Sequence, residues 1–288
     1  DYSLQLLLRR NKTEMWAVWD QTNGGLPSPF AADANLEGAG DVIRWALSRS
    51  SVPVDHGRWA AAAPFLNRVK IGTYINDADA SPWDWLADQV LPLVPVTVVR
   101  GPDGLAPVIH DPEWTRSSQI TTLIEAPDFR RVGPFVPERD PEDVVNHLTM
   151  EFAKGWIAGA FKRRVILTPD RDRDDPEQVT DLYVQVSSRR YGTRYDADDS
   201  LSLYDEASAL QVLQWRARFL GQVPESAEYE ADMTYGWLRL GDPVRMTDTD
   251  GEQTSVLGIV IGRAWTGTAW RFRILYDDDL VREPRERT

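Results

Sequence analysis

The chain has 288 residues, 42% of them apolar and 27% charged, the balance of a soluble globular protein long enough for two or three domains. On folding, a chain of this size removes about 75% of its unfolded surface from water. A net charge of −13 with no large Lys/Arg cluster argues against a protein that grips nucleic acid by its phosphates, and the lack of cysteine removes disulfides, thiolate nucleophiles and cysteine-based zinc sites together.

The longest apolar stretch, Val90 to Val99, is broken by Pro92 and Pro95, so no membrane-spanning helix is predicted. The chain opens without an initiator Met or a signal peptide, so it is expected to start after processing or after a further N-terminal part. Leu4, Leu6 and Leu8, a polar turn from Arg9 to Glu14 and the run Met15 to Trp19 predict a hairpin. Residues 21–35, with Gly24, Gly25, Pro27, Pro29 and Asn35, read as a loop.

Asp41 is the expected cap of a helix carrying Val42, Ile43, Trp45, Ala46 and Leu47. Asp55 is the expected cap of a second, through Trp59, Phe65 and Leu66, kinked or ended at Pro64. Ile71 to Ile75 predicts a brief strand, and Ser81-Pro82 opens a third helix with Trp85, Leu86 and Val90 on one side. Val94 to Val99 and Leu105 to Ile109 flank Gly101-Pro102-Asp103-Gly104, a hairpin with its turn. Residues 36–110 thus form an α+β unit, and the proline- and charge-rich stretch 111–143 an extended connection over another domain's surface.

Val145, Leu148, Met150 and Phe152 then alternate as in a strand, while 157–167 fits either a strand or a short helix. Pro169 to Glu177 is an acidic loop and Leu182 to Val186 an alternating strand. Asp205 begins the clearest helix, with Ala209, Leu210, Leu213, Ala217 and Leu220 at helical spacing, a stop at Gly221 and Pro224 beyond it. Met233 to Tyr276 divides into four short strands: Trp237 to Leu240, Val244 to Met246, Val256 to Ile261 and Trp270 to Tyr276, with turns at Gly241-Asp242, Asp250-Gly251 and Gly267. They predict a small antiparallel barrel or sandwich. The charged end after Asp277 reads as a terminus leading into disorder or a further domain.

Chemistry is sparse. His56, His110 and His147 lie in different elements without metal-ligand spacing. No phosphate-binding loop and no G-x-S-x-G is present. Asp170, Asp172, Asp174 and Asp181 fall at positions 1, 3, 5 and 12 of a calcium loop, but Asp175 stands where glycine is required and Pro176 follows, so a solvated acidic loop is preferred. Asp248-Thr249-Asp250-Gly251 has a similar look, yet Met246 occupies its first ligand position. Lys162, Arg163 and Arg164 form the one compact basic triplet, read as a solvated turn. Trp83 with Trp85 suggests a sugar-stacking platform, and 45 acids leave room for a glycosidase carboxylate pair that sequence cannot locate. Most of the twelve tryptophans lie at apolar phase, which favours core or subunit-interface burial.

Several phrases, taken in order, resemble the central tail hub (baseplate hub) proteins of tailed bacteriophages. The helix, helix, strand, helix and hairpin order around Gly101-Pro102-Asp103-Gly104-Leu105 is similar to that family's middle domain. Val144-Val145-Asn146-His147-Leu148-Thr149-Met150-Glu151-Phe152 resembles its strand that re-enters a barrel, and Ser188 to Arg194 its S-x-x-Y-G-x-R segment. The helix from Asp205 to Leu220, Pro224 and Leu238-Arg239-Leu240-Gly241-Asp242-Pro243-Val244 resembles its helix-to-barrel run. The matches spread over residues 36–276, and none is a catalytic signature.

The resemblance implies a β-rich α+β fold with two small antiparallel β-barrel domains, an inserted α+β domain and a connecting helix. Residues 1–35 and 144–204 would form the first barrel, 36–110 the insert, 111–143 the connection, 205–224 the helix, 225–280 the second barrel and 281–288 the tail. It implies a homotrimeric, non-enzymatic component of the virion tail, assembled in the host cytoplasm, with no catalytic, cofactor-binding or metal residues and no cofactor. Its partners would be the tail tube or distal tail protein ring and the tip or spike protein, with genomic DNA only in transit and no membrane span. Surplus carboxylates lining such a channel would repel passing DNA. A cell-wall hydrolase and a Trp-rich carbohydrate-binding module are the alternatives.

Overall fold

The computed structural model describes residues 29–30, 36–72, 82–154, 159–172, 174–247 and 255–276. The expected N-terminal hairpin, the cap at Ser81, the turn at Asp250-Gly251 and the charged end lie outside them. The protein is mixed α+β and rich in sheet, with two principal cores.

Helix α1 (Ala39–Leu47) begins two residues before the expected cap, on Gly38, whose backbone offers no side-chain partner. Asp41 sits in its first turn, and Asn67, at the end of α2 (His56–Leu66), accepts from the Asp41 N–H at 3.1 Å and donates to its carboxylate at 2.8 Å. The start of α1 is thus capped by a neighbouring helix. Asp55 caps α2 as expected, accepting from the Arg58 N–H, and Pro64 is carried inside the helix, which runs on to Leu66. Of the expected strand Ile71 to Ile75, Ile71 and Gly72 are not strand and 73–75 lie outside the described residues.

The third helix, α3 (Pro82–Trp85), widens at once into a π-turn over Leu86–Val90 and tightens into a 3-10 turn over Leu91–Leu93 around Pro92. The hairpin follows as β1 (Val96–Gly101) and β2 (Gly104–Ile109), paired from Val96–Ile109 to Gly101–Gly104. Gly104 has φ +120°, and a Cβ there would lie 2.3 Å from the Pro53 carbonyl oxygen, so only glycine fits.

The connection does more than run over a surface. After α4 (Pro112–Ser117), capped by Asp111, it supplies β3 (Thr121–Ile124), β4 (Phe129–Arg131) and β5 (Val136–Pro137) to a sheet completed by the C-terminal strands. The chain then forms β6 (His147–Lys154) and β7 (Phe161–Leu167), so 161–167 is strand, 159–160 is not, and 157–158 lie outside the described residues. A two-residue strand β8 (Gln178–Val179) follows.

Leu182 to Val186 is not a strand but the start of α5 (Leu182–Tyr191). Asp181 accepts from the Tyr183 N–H, and Val184 and Ser187, three apart, are the buried positions, while Leu182 is exposed. Strand β9 (Tyr195–Asp199) and helix α6 (Glu206–Leu220) complete this part, with Asp205 capping α6 through the Ser208 N–H. Strands β8-β7-β6-β9 form a four-stranded mixed sheet, antiparallel at β6–β7 and parallel at both flanks, with α6 packed against β6 and β7.

The C-terminal region carries β10 (Glu225–Ala231), β11 (Pro243–Thr247), β12 (Val256–Trp265) and β13 (Trp270–Tyr276). The expected strand before Gly241 is instead a 3-10 turn, Met233–Tyr235, capped by Asp232, with irregular chain up to Leu240. The seven-stranded sheet runs β3-β11-β12-β13-β10-β4, with β5 beside β4 on β10, and curves as a half-barrel. All its pairs are antiparallel except β3–β11.

One core gathers Ile43, Trp59, Leu66, Leu86, Met150, Phe152, Leu167 and Trp215 among others, so the helices near the N-terminal side, the four-stranded sheet and α6 share one apolar interior. The other lies under the half-barrel, around Phe129, Tyr229, Val244, Phe272, Ile274 and Tyr276. There the Tyr229 and Tyr276 hydroxyls, both buried, share a hydrogen bond of 2.6 Å, so each phenol oxygen has a polar partner in an otherwise apolar interior.

Candidate functional site

The histidines stay apart. His56 faces Arg44, with 3.5 Å between its Nδ1 and the guanidine Nε; His147 packs on the Tyr195 ring; His110 shares a 3.0 Å hydrogen bond with Thr97. Burial lowers the pKa of both His110 and His147, so neither is positioned as a cation. Within the acidic loop, carboxylates serve the local backbone: Asp172 accepts from the Asp174 N–H, Asp175 from the Glu177 N–H, and Asp181 caps α5. Among the described residues no three His, Asp or Glu side chains converge as a metal site. The basic triplet lies on β7, not in a turn, and is exposed, with Arg164 paired to Glu177 at 2.7 Å.

Trp83 and Trp85 do not form a platform, because Trp85 is buried and Trp83 about half exposed. Trp265 and Trp270 pack with their rings 5.1 Å apart and tilted by 59°, and the Arg263 guanidinium covers Trp270 at 4.1 Å. That geometry presents an aromatic corner, not a flat face for a sugar ring.

A groove of about 520 Å³ opens between the Leu91–Thr97 segment, α6 and the outer side of the half-barrel, where Ile261 and Leu275 line it. Its walls are mostly apolar, with His110, Glu138, Arg139 and Arg216 at the polar positions. Arg139 is engaged with the carbonyl oxygens of Phe219 and Gln222 at 2.6 and 3.3 Å.

What the polar groups do build, from buried Asn146 and Asp111 to exposed pairs, is joints. Asn146 is fully buried; its amide donates to Ser187 Oγ at 3.0 Å and to the Gly192 carbonyl at 2.9 Å, and its Oδ1 accepts from the Arg194 N–H at 2.9 Å. Its phrase, Val144 to Phe152, is thereby tied to the phrase from Ser188 to Arg194. A second joint forms at Gly241-Asp242, where φ is +82° at the glycine and the Asp242 carboxylate accepts from the Arg239 N–H at 2.7 Å. Arg58 of α2 donates to the Leu240 carbonyl at 2.9 Å, and Arg239 pairs with Asp103 of the hairpin turn at 2.7 Å. The Gly241-Asp242 phrase thus seats on the Gly101–Gly104 turn. Burial raises the Asp242 pKa, against the pull of the Arg239 N–H and of Arg58, Arg239 and Arg263.

The third joint holds α4 to α6 and α2. Arg218 lies 3.3 Å from Asp111 and 2.7 Å from Glu113, and Arg68 closes on Glu113 at 2.6 Å. Burial raises the Asp111 pKa although Arg218 and two capped N–H groups oppose it. Glu113, although burial works against it, is held below its ordinary value by Arg68 and Arg218. Two carboxylates near one another invite a hydrolase reading, but Asp111 spends its oxygens on the Glu113 and Trp114 N–H groups and on Arg218. Sequence reasoning gave no role to Asn146, Arg58, Asp111 or Arg218. Only Asp111, before Pro112, carried a readable signal, that of a helix cap.

No protein-family model matches the chain, and no curated protein matches it. Among solved structures it is similar to a chain from the virion of a native gene transfer agent particle, at 10% identity and a TM-score of 0.49 over 87% of this chain. It spans about half of that protein, 48% of its length. It is also similar to a tail protein from Neisseria meningitidis, at 13% identity and a TM-score of 0.42, covering 89% of this chain and 70% of the other. A prophage tail protein from Listeria monocytogenes aligns at 11% identity and a TM-score of 0.35, covering 70% and 55%.

Proposed function

We propose that the protein is a structural component of a phage-type tail, the central hub of the baseplate or tail tip, and has no catalytic role. The observation that carries this reading is the pairing of the joints. The four phrases that resemble tail hubs are scattered through the sequence, yet Asn146 ties two of them together and Arg239 ties the other two. These contacts, buried at Asn146 and exposed at Arg239–Asp103, hold sheets, helices and turns in a fixed relation, the requirement of a ring subunit.

In this reading the four-stranded sheet, with residues 1–35, and the half-barrel are two ring-forming barrel units, with 36–110 inserted and α6 between them. Three copies would give a pseudo-sixfold face to a hexameric tail tube, with the tip or spike protein on the other side and DNA passing through. The net charge of −13 suits a channel wall that does not bind DNA. No helix among the described residues is long and apolar enough to cross a membrane.

Electron cryomicroscopy of purified particles, with this chain located by a bound antibody fragment, tests the reading. Density for three copies on the tail axis is the expected result. Absence of the chain from particles, or turnover of peptidoglycan by the purified protein, would overturn it.

A further inference from the structure

The outer face of a sheet with one buried side is ordinarily polar, and β13 follows this at Arg271 and Arg273, which alternate with the core residues Phe272 and Ile274. At the end of the strand the rule breaks. Leu275 turns an apolar side chain outward, and Ile261 of β12, next to the core residue Val260, does the same beside it. Together they form one wall of the groove of about 520 Å³ described above, with Leu91, Val94 and Phe219 opposite. Phe219 is 38% exposed although it stands in an apolar setting. The volume lies within the roughly 300–1,000 Å³ of sites that hold a ligand.

The chain leaves the half-barrel at this groove. Tyr276, the last residue of β13, pairs with Gly258 on one side and with Glu225 on the other. Next to Glu225 comes Pro224, which has no N–H and whose carbonyl accepts from the Glu138 N–H at 2.8 Å, so the ladder with β10 stops there. Pro224 and Leu275 both line the groove, so the exit point lies at its wall. The sequence beyond Tyr276 reads Asp277-Asp278-Asp279-Leu280-Val281-Arg282, with three acids ahead of the one apolar pair before the charged end. Four residues extend at most about 13–14 Å, which keeps Leu280 close to the exit. A segment tethered this closely meets the groove at an effective concentration in the millimolar range, so even weak burial suffices to seat it.

We propose that the groove is the seat of this chain's own residues 277–281, with Leu280 and Val281 entering between Leu275 and Phe219 and the three acids lying toward Arg139 and Arg216. The charges match in order as well as in sign, because the acids sit between the exit and the apolar pair. Arg216 already pairs with Asp198 at 2.6 Å, so Arg139, whose guanidinium covers the Phe219 ring at 4.9 Å, is the main anchor for them. Burial lowers the Arg139 pKa against the pull of Asp143, and a further carboxylate there stabilises the cation. Seated in this way, the segment straps the half-barrel to the Leu91–Thr97 segment and α6, and so fixes the two cores relative to one another. The strap does not depend on the tail reading.

The chain has no cysteine, so engineered pairs report without background. Leu280→Cys is combined in the full-length chain with Thr97→Cys, an exposed position on the groove wall, and separately with Leu91→Cys, so that one variant serves if the other fails to fold. Leu280→Cys with Thr268→Cys is the control, since Thr268 lies in the turn before Trp270, about 20 Å or more along β13 from Tyr276 and outside the reach of residue 280. Under mild oxidation of dilute protein, the expected product is a disulfide within one chain, at roughly tenfold or more the control yield. Val281→Asp lowers that yield roughly tenfold. Replacing Asp277, Asp278 and Asp279 by Asn lowers it too and removes its dependence on salt. A yield no greater than the control, or one that Val281→Asp leaves unchanged, overturns the strap. Disulfides that join two chains make a second copy the occupant, and a Leu6→Cys that captures 97 or 91 in place of 280 makes it the N-terminal segment; either overturns it. Each of these outcomes leaves the tail reading to be decided separately, by the location of the chain in particles.

Discussion

Asn146→Ala is the sharpest probe of the joints. The side chain is fully buried and makes three hydrogen bonds, two as donor and one as acceptor. Each buried bond contributes about 1 kcal/mol net, and truncation strands the Arg194 N–H and the Gly192 carbonyl without partners, at about 1–3 kcal/mol each if no water enters. Because these contributions overlap, the expected loss is about 3 kcal/mol, a sizeable part of the roughly 5–15 kcal/mol that holds a domain folded. For a chain of this size it corresponds to a fall of roughly 6–12 °C in melting temperature. Asn146→Asp keeps the acceptor for Arg194 but sets a carboxylate against the Gly192 carbonyl, so it should be at least as damaging. The assay is thermal unfolding by circular dichroism together with amide hydrogen exchange, in which Arg194 should lose protection before the half-barrel does. A loss below about 1 kcal/mol with unchanged protection at Arg194 would refute the joint.

Gly104→Ala should destabilise by roughly 2–3 kcal/mol in a denaturant titration, since it combines a positive φ with a collision against the Pro53 backbone. Arg218→Met leaves Asp111 buried without its cation and should cost about 3–5 kcal/mol at neutral pH. The folded-state pKa of Asp111, already raised by burial, would rise further, so the fold favours the protonated acid and the deficit should shrink as pH falls through that value; unfolding midpoints against pH give the measurement. Tyr204, 3.3 Å from Glu37, has its pKa pushed up to about 12 by burial, then by Glu37 and Asp205. The fold thus favours the neutral phenol: its contribution is present below pH 10, the ordinary value, and is lost as pH rises to about 12. Tyr204→Phe should remove one late-titrating tyrosine from the ultraviolet absorbance titration and flatten the alkaline limb of the stability curve.

Helix α6 was readable from the sequence because Ala209, Leu213 and Ala217 repeat at helical spacing behind a capping Asp205. Helix α5 was not, since Leu182, Val184 and Val186 alternate as a strand would. The deciding facts are that Leu182 faces solvent and that polar Ser187 is buried as a partner of Asn146, and neither is local. In the same way β4 and β5 are only three and two residues long, and their pairing with β10 makes them strands. The phrase around Asn146 stood out, but its role did not, because its partners lie 41 to 48 residues away.

The loan of β3, β4 and β5 to the C-terminal sheet has a consequence for how the chain folds. Thr121 pairs with Val244 and Arg131 with Tyr229, so the half-barrel cannot assemble until the strands from Glu225 to Tyr276 have left the ribosome. Everything between those partners, including the four-stranded sheet and α6, is a loop whose closure entropy falls once that part has folded. The N-terminal core should therefore form first and bring the distant strands within reach, and the half-barrel should be the slow, late step. A fragment beginning at Glu225 would expose one side of β10, the side that β4 and β5 cover, and should aggregate where the whole chain does not.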